Sequence, residues 1–190
     1  MSVCRLAPDA IQPKSFSFSP ENRAWADTVI AKYPEARKAS AVIPLLWRAQ
    51  EQHEYWLPKA AIEYVAELLG MAKIRVLEVA TFYSMFNLKP VGKCVLEVCR
   101  TSSCWLCGAE DVVRHIEKKL GIKDGETTKD GMFTLKTVEC LGSCGTAPML
   151  QCGASYHENL TIEKVDALID KYRSEGRSRF YTDKDYQNTL

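Results

Sequence analysis

The chain has 190 residues, of which 46% are hydrophobic and 26% charged, a composition typical of a soluble globular protein with one or two domains. Its 25 basic and 24 acidic residues leave a net charge of +1, so the sequence predicts no general attraction to nucleic acid or to an anionic membrane. No apolar run approaches the roughly 20 residues of a membrane-spanning helix, so direct membrane insertion is not expected. Residues 1–20 lack the apolar segment of a secretion signal. Eight cysteines without such a signal indicate a reducing compartment, where clustered thiols bind metal or carry out redox chemistry.

Residues 19–88 carry the signals of a small helical bundle, preceded by a loose N-terminal arm over residues 1–18. Ser19 is a helix-capping residue, Pro20 suits the first helical position, and Glu21 places an acid in the first turn. This helix is predicted to end at Pro34. Further helices are predicted over residues 39–52, 58–70 and 73–81.

Helical spacing places most of the large apolar side chains of this region in the core of the bundle. On the last of its four helices, the predicted buried stripe is Ile74, Leu77 and Ala80. Most of the aromatic residues are expected to pack in the same core: Trp25, Trp47, Tyr64, Phe82, Tyr83 and Phe86.

The pattern changes after a linker over residues 88–92. The predicted elements are a strand over 93–99, a helix over 108–120, a hairpin that turns at Asp130 and Gly131, a strand over 148–152, and a helix over 162–172 capped by Thr161. This order describes helices packed on a mixed sheet. The predicted fold class is therefore α+β, with an N-terminal helical bundle followed by an α/β domain over residues 89–175 and a polar C-terminal tail over residues 176–190.

Two close cysteine pairs lie in the second half of the chain. Cys99 and Cys104 have four residues between them, and Cys140 and Cys144 have three. Because four thiolates repel one another unless metal is bound, the two pairs indicate one four-thiolate metal centre. The second pair suits a structural zinc site better than the first does. A two-iron, two-sulfide centre accepts the wider loop, because each pair then serves a different iron.

Cys107 opens two other interpretations. Cys99, Cys104 and Cys107 match the first three ligands of the plant-type pattern, which would leave Cys140 or Cys144 unused. Cys104 and Cys107 also form a C-x-x-C motif before a predicted helix, the signature of a thiol–disulfide oxidoreductase. A zinc-stapled interaction module without redox activity is a third hypothesis. Ligation of one centre by Cys99, Cys104, Cys140 and Cys144 uses the cysteines most consistently.

The remaining candidate residues are assigned structural roles. Three cysteines stand alone and are predicted to be small buried hydrophobic residues: Cys4, Cys94 and Cys152. The three histidines lie far apart and form no ligand-like pair: His53, His115 and His157. No Gly-rich phosphate loop, Ser–His–Asp set or carboxylate pair is present. The sequence therefore predicts no catalytic residues on this chain.

Three segments of the chain carry a family resemblance: SAVIPLLWRAQEQ at residues 40–52, RVLEVATFYSMF at 75–86 and VECLGSCGTAPM at 138–149. Together they resemble the thioredoxin-like 2Fe–2S ferredoxin subunit of NADH:quinone oxidoreductase, respiratory complex I, over roughly residues 19–173. The resemblance implies that residues 89–175 form a thioredoxin-like domain with one 2Fe–2S cluster. Cys99 and Cys104 would then hold one iron, and Cys140 and Cys144 the other.

The resemblance also implies a role for such a chain. It would be an electron-transfer subunit of an oxidoreductase, with no substrate site of its own. FMN and NADH would bind to a partner flavoprotein subunit, and electrons would pass between that FMN and the cluster, beside the main relay toward quinone. Other subunits of the peripheral arm would be further partners, on the cytoplasmic side of a bacterial inner membrane or in the mitochondrial matrix. The alternative is an equivalent subunit of an NAD-linked hydrogenase or formate dehydrogenase.

Overall fold

The computed structural model describes residues 6–176, and the chain divides into two compact units between Pro90 and Val91. The first unit is helical, and the second contains a four-stranded mixed sheet with helices. The predicted fold class, a helical bundle followed by an α/β domain, is thereby confirmed. The predicted tail lies outside the described residues beyond Gly176, as does Cys4. Within residues 6–176, no helix combines the length and the apolar character needed to cross a membrane.

Four α-helices make up the first unit: α1 (Pro20–Ile30), α2 (Val42–Gln52), α3 (Lys59–Leu69) and α4 (Lys73–Phe82). The Ser19 hydroxyl caps α1 by accepting the N–H of Asn22 at 3.2 Å. Gly70 ends α3 with a φ of 63°, a conformation in which glycine avoids the steric cost of a side chain. Both predictions are confirmed. The four helices bury one apolar cluster that includes Leu45, Leu46, Ile62, Val65 and Leu69.

The end of α1 differs from its prediction. The helix stops at Ile30, and the N–H groups of Lys32 and Tyr33 bond to carbonyls three residues back, which tightens the chain into turns before Pro34. A 3-10 stretch, Glu35–Ala41, then leads directly into α2. Pro34 therefore begins the next element rather than ending the first.

The buried face of α4 also differs from its prediction. Val76 and Ala80 are buried against the other helices, whereas Ile74 is 59% exposed. At the end of α4, Phe82 is 80% exposed and Tyr83 is 39% exposed, so these two predicted core aromatics lie on the surface of the described chain. Apolar residues occur on more than one side of this helix, so spacing alone did not select the face that α2 and α3 cover.

Residues 6–18 are not a loose arm. The N–H of Ala7 donates to the carbonyl of Leu88 at 2.8 Å. Phe18 is buried, and its ring meets Tyr64 edge-on with the ring centroids 5.3 Å apart. The segment lacks regular periodicity, so no local pattern predicted this packing, yet it covers apolar surface of the helical unit.

The second unit is built on four strands: β1 (Cys94–Cys99), β2 (Phe133–Val138), β3 (Leu150–Cys152) and β4 (Ser155–His157). Their order in the sheet is β2-β1-β3-β4. β1 and β2 are parallel, from Cys94 opposite Phe133 to Cys99 opposite Val138, and the other two pairings are antiparallel. β4 was not predicted, because three residues are too few to show an alternating pattern. The first arm of the predicted hairpin is reduced to a single bridge between Thr127 and Thr134.

Three α-helices accompany this sheet: α5 (Ser102–Leu106), α6 (Ala109–Leu120) and α7 (Ile162–Glu175). α6 and α7 confirm their predictions, and the Thr161 hydroxyl caps α7 by accepting the N–H of Lys164 at 3.3 Å. The two helices lie side by side, since His115 Nε2 is 2.6 Å from Asp166 Oδ1. They share one core with the sheet, which includes Leu96, Ile116, Phe133, Leu135, Val165 and Ile169. α5 was not predicted, because five residues show no helical period.

The parallel pairing of β1 and β2 decides where the cysteines lie. Cys99 and Val138 form the last pair of the ladder, so the segments leaving both strands begin at the same edge of the sheet. β3 enters at this edge after the Ala147–Pro148 peptide bond, which is cis. Carboxyl ends of parallel strands are where open α/β sheets hold their ligands.

Candidate metal centre

All four predicted ligands lie at this carboxyl edge. Cys99 is the last residue of β1, and Cys104 lies within α5, which follows directly. Cys140 lies two residues beyond β2, and Cys144 begins a short 3-10 turn, Cys144–Thr146. The two loops therefore converge because their parent strands are parallel neighbours.

In the first pair, one thiol ionises more readily than the other. Burial acts to raise the pKa of Cys99, but hydrogen bonds from the Thr101 hydroxyl and from the N–H groups of Thr101 and Leu141 outweigh it, so the pKa is lowered. Thr101 Oγ1 lies 3.4 Å from Cys99 Sγ. Burial, followed by the hydrogen bond with Cys99, raises the pKa of Cys104 to about 11. Cys104 thus keeps its proton and shares it with the Cys99 thiolate.

The second pair shows the same asymmetry. The N–H of Gly142 donates to Cys140 Sγ at 3.3 Å and lowers the pKa of Cys140, as do hydrogen bonds from Cys144 and from the Thr101 hydroxyl. The sulfurs of Cys140 and Cys144 are 3.4 Å apart. The hydrogen bond with Cys140, and then its charge, raise the pKa of Cys144.

The two pairs are close enough to form one group. The Thr101 hydroxyl acts on the pKa of one sulfur from each pair, Cys99 and Cys140. In addition to the hydrogen bonds within each pair, charge on Cys99 acts on the pKa of Cys144, and charge on Cys144 acts on the pKa of Cys104. Four thiols therefore surround one small region of the edge.

The donor set fits a two-iron centre. Four thiols in two pairs can give each iron two thiolates, and backbone N–H groups directed at sulfur stabilise the resulting negative charge. Within the described range 6–176, no group of three or more His, Cys, Asp or Glu side chains is placed to hold a single metal ion. The chemistry that a [2Fe–2S] cluster supplies when bound is the uptake and release of one electron.

One side of the centre is buried and the other faces outward. Cys99 and Cys104 are buried with Ala109 and Met149 in a small apolar cluster, whereas the sulfur-bearing residues of the second pair are exposed. Two large apolar residues on the first loop are also exposed, Trp105 at 55% and Leu106 at 76%. They border a surface pocket of about 470 Å³ lined by Arg100, Thr101, Ser102, Trp105, Leu106 and Glu139.

The C-x-x-C motif does not have the environment of a reactive dithiol. Its first cysteine, Cys104, is buried and its pKa is raised, foremost by burial, whereas an attacking thiol needs access and a lowered pKa. Cys107 is exposed at the end of α5.

The other singled-out residues lie apart from the four thiols. Cys94 and Cys152 are buried in the sheet, as predicted. Each histidine contacts another side chain: His53 meets the Trp56 ring edge-on, His115 bonds to Asp166, and His157 Nε2 lies 2.9 Å from the Tyr172 hydroxyl.

Sequence reasoning missed several side chains around the centre. These are Thr101, which contacts sulfur, and three residues that contact the second loop or line the pocket: Trp105, Tyr156 and Glu158. The only signal for Thr101 was its place between two predicted ligands. Tyr156 and Glu158 are distant in sequence from both pairs, so no local pattern identified them.

A family model for thioredoxin-like [2Fe–2S] ferredoxins matches residues 26–173. The chain belongs to this family. The E-type NADH-quinone oxidoreductase subunit of Rickettsia bellii is 52% identical over 161 residues, which cover 85% of this chain and 96% of that protein. A corresponding NADH-quinone oxidoreductase subunit of Rhizobium meliloti is 50% identical over 175 residues, which cover 92% of this chain and 63% of that protein. The resemblance inferred from the sequence is confirmed.

The ferredoxin fold also matches a solved structure. An NAD+-reducing [NiFe]-hydrogenase in the H2-reduced state superposes with a TM-score of 0.60 at 20% identity. The match covers 70% of this chain and 22% of that one, so this chain spans about a fifth of the hydrogenase chain. At this identity the likeness establishes the fold alone.

Proposed function

We propose that this ferredoxin is an electron-transfer subunit that holds one [2Fe–2S] cluster. Cys99 and Cys104 bind one iron, and Cys140 and Cys144 bind the other. The observation that carries the proposal is the convergence of two cysteine pairs at one sheet edge, with hydroxyl and N–H donors directed at their sulfurs. Ligation by residues 89–175, with residues 19–88 as a separate helical domain, is part of the proposal.

The complex we propose is NADH:quinone oxidoreductase. Relatives at 50–52% identity over most of the chain carry that name, whereas the hydrogenase matches at 20%. The partner is the flavoprotein subunit that binds NADH and FMN, together with other subunits of the peripheral arm. The cluster exchanges single electrons with FMN. The protein is peripheral, on the cytoplasmic side of a bacterial inner membrane or in the mitochondrial matrix.

The exposed side of the centre suits this exchange. Cys140 and Cys144 lie at the surface of the second unit, so a redox partner placed there would approach the proposed cluster closely. The exposed side chains of Trp105 and Leu106 offer apolar contact area beside it.

Metal and sulfide analysis of the chain, purified without oxygen, tests the ligand set. We expect about two iron and about two acid-labile sulfide per chain, with the visible absorption of a [2Fe–2S] centre. Cys140→Ser should abolish most of that absorption, because it removes one of the four thiolates. Cys107→Ser is the matched control and should retain the full iron content and colour.

Other results would contradict the proposal in distinct ways. Zinc without visible absorption would favour a structural metal site. Iron-free protein with disulfide reductase activity that depends on Cys107 would favour the dithiol interpretation. Identification of the proteins that co-purify with the chain separates quinone-reducing, hydrogenase and formate-oxidising complexes.

A further inference from the structure

The second ligand loop, residues 140–146, is contacted from outside by β4 and the segment that follows it. The Tyr156 hydroxyl donates to the carbonyl oxygen of Leu141 at 2.8 Å. The Glu158 carboxylate accepts a hydrogen bond from the Thr146 hydroxyl at 2.7 Å and another from the Ser143 hydroxyl. Two of the contacted residues adjoin predicted ligands, since Leu141 follows Cys140 and Ser143 precedes Cys144.

These contacts fall at both ends of the loop. Tyr156 holds its start, and Glu158 holds its middle and its end, where the N–H of Asn159 also donates to the carbonyl of Thr146 at 2.7 Å. Ser143 and Thr146 are in turn bonded to each other at 2.7 Å between their hydroxyl oxygens. One carboxylate oxygen thus joins two side chains that flank Cys144.

The loop needs such external contacts. Its two cysteines are exposed, so apolar packing restrains them little. Two of its seven positions are glycine, and Gly142 has a φ of 85°, so the backbone itself has wide conformational freedom. Leu141 also supplies an N–H that acts on Cys99, in the other pair. A shift of this loop would therefore disturb sulfurs of both pairs.

We infer that Tyr156 and Glu158 are positioning residues for the metal centre, holding the second ligand loop so that Cys140 and Cys144 keep the geometry that binds iron. The inference rests on the proposed [2Fe–2S] function of the four cysteines. Neither residue binds metal. Their hydrogen bonds slow the opening of the loop and keep its N–H groups directed at sulfur.

The test is the rate at which the full chain, with its cluster loaded, loses visible absorption to a ferrous-iron chelator. Glu158→Ala should lose its cluster about tenfold faster, the scale expected from removing hydrogen bonds to a charged acceptor. Glu158→Gln keeps an oxygen that can accept both hydroxyls, so its loss rate should stay within about twofold of the unmodified chain. Glu163→Ala removes another exposed carboxylate of the same segment and is the matched control, with no expected change.

Tyr156→Phe provides a readout that does not involve charge. It removes only the bond to Leu141, so the loop loosens near Cys140, and we expect faster cluster loss together with a more negative reduction potential as sulfur loses N–H donors. Ser143→Ala should also accelerate loss in the unmodified chain but add nothing in the Glu158→Ala background, because the two residues act through one contact.

Two results would overturn the inference. One is a loss rate in Glu158→Ala equal to that of the unmodified chain. The other is equal acceleration in Glu158→Ala and Glu158→Gln, which would assign the effect to charge rather than to contact. An unmodified chain without iron and sulfide would instead contradict the proposed function itself, before any variant is compared.

Discussion

At the scale of single residues, Thr101 connects the two cysteine pairs. Its hydroxyl lies 3.4 Å from Cys99 Sγ and also lowers the pKa of Cys140, after the larger effect of the Gly142 N–H. Thr101 precedes α5 at the capping position, yet its side chain makes no capping hydrogen bond. Its hydroxyl is therefore committed to sulfur rather than to the helix.

Thr101→Val should make the reduction potential of the centre more negative by about 20–60 mV, the equivalent of one neutral hydrogen bond for a one-electron couple. The reason is that donors to sulfur stabilise the reduced state, which carries more negative charge. Redox titration of the loaded chain measures the shift. Ser102→Ala removes the neighbouring exposed hydroxyl and should leave the potential unchanged. Equal potentials in Thr101→Val and the unmodified chain would show that this hydroxyl does not act on the centre.

At the scale of elements, the start of β1 depends on a close approach of backbone to backbone. A Cβ added to Gly92 would lie 2.8 Å from the carbonyl carbon of Phe133 and 2.9 Å from that of Met132. The N–H of Gly92 donates to the buried Thr134 hydroxyl at 2.6 Å, which holds this approach in place. β1 is the strand that carries Cys99, so an error at its entry is transmitted to the first ligand.

Gly92→Ala should lower the free energy of unfolding by about 1–3 kcal/mol, the usual cost of forcing an extra methyl group into a packed site. The clashing atoms belong to backbone, which gives way less easily than a flexible side chain. Denaturant titration of the full chain measures the change. Gly145→Ala is the control, because a Cβ there meets nothing within 4 Å, and its unfolding midpoint should stay near that of the unmodified chain. A Gly92→Ala chain as stable as the control would contradict the steric argument.

At the scale of the whole molecule, each unit has its own apolar core. The helical unit buries residues of α1 to α4, and the second unit buries residues of the sheet with α6 and α7. All four proposed ligands belong to the second unit. The free energy of cluster binding therefore stabilises that unit directly.

Removal of the cluster by a chelator should increase amide hydrogen exchange in the second unit, most strongly over residues 139–147. Without iron, the thiolates of four close cysteines repel one another, and the exposed loop loses its anchor. Exchange in α2 and α3 should change little, which makes the helical unit an internal control. Uniform exchange in the loaded and the stripped chain would argue against ligation by these loops.

Much of the fold was determined by the sequence alone, because its signals act over one or two helical turns. The Ser19 and Thr161 caps, the stop at Gly70 and the apolar periodicity of α6 and α7 each depend on neighbouring residues, and the structure has all of them. The two cysteine pairs were equally visible, because each pair lies within one short loop. Elements as short as α5 and β4 carried no such signal, and on α4 several faces were apolar.

Tertiary structure decided what those local signals do not contain. The convergence of the cysteine pairs follows from the parallel register that sets Cys99 opposite Val138, a pairing between residues far apart in the chain. The same holds for Glu158, which reaches Ser143 only because β4 folds back beside β3. A chain can specify a cap or a loop by adjacency, but which loops share an edge depends on contacts that form only when the whole unit has folded.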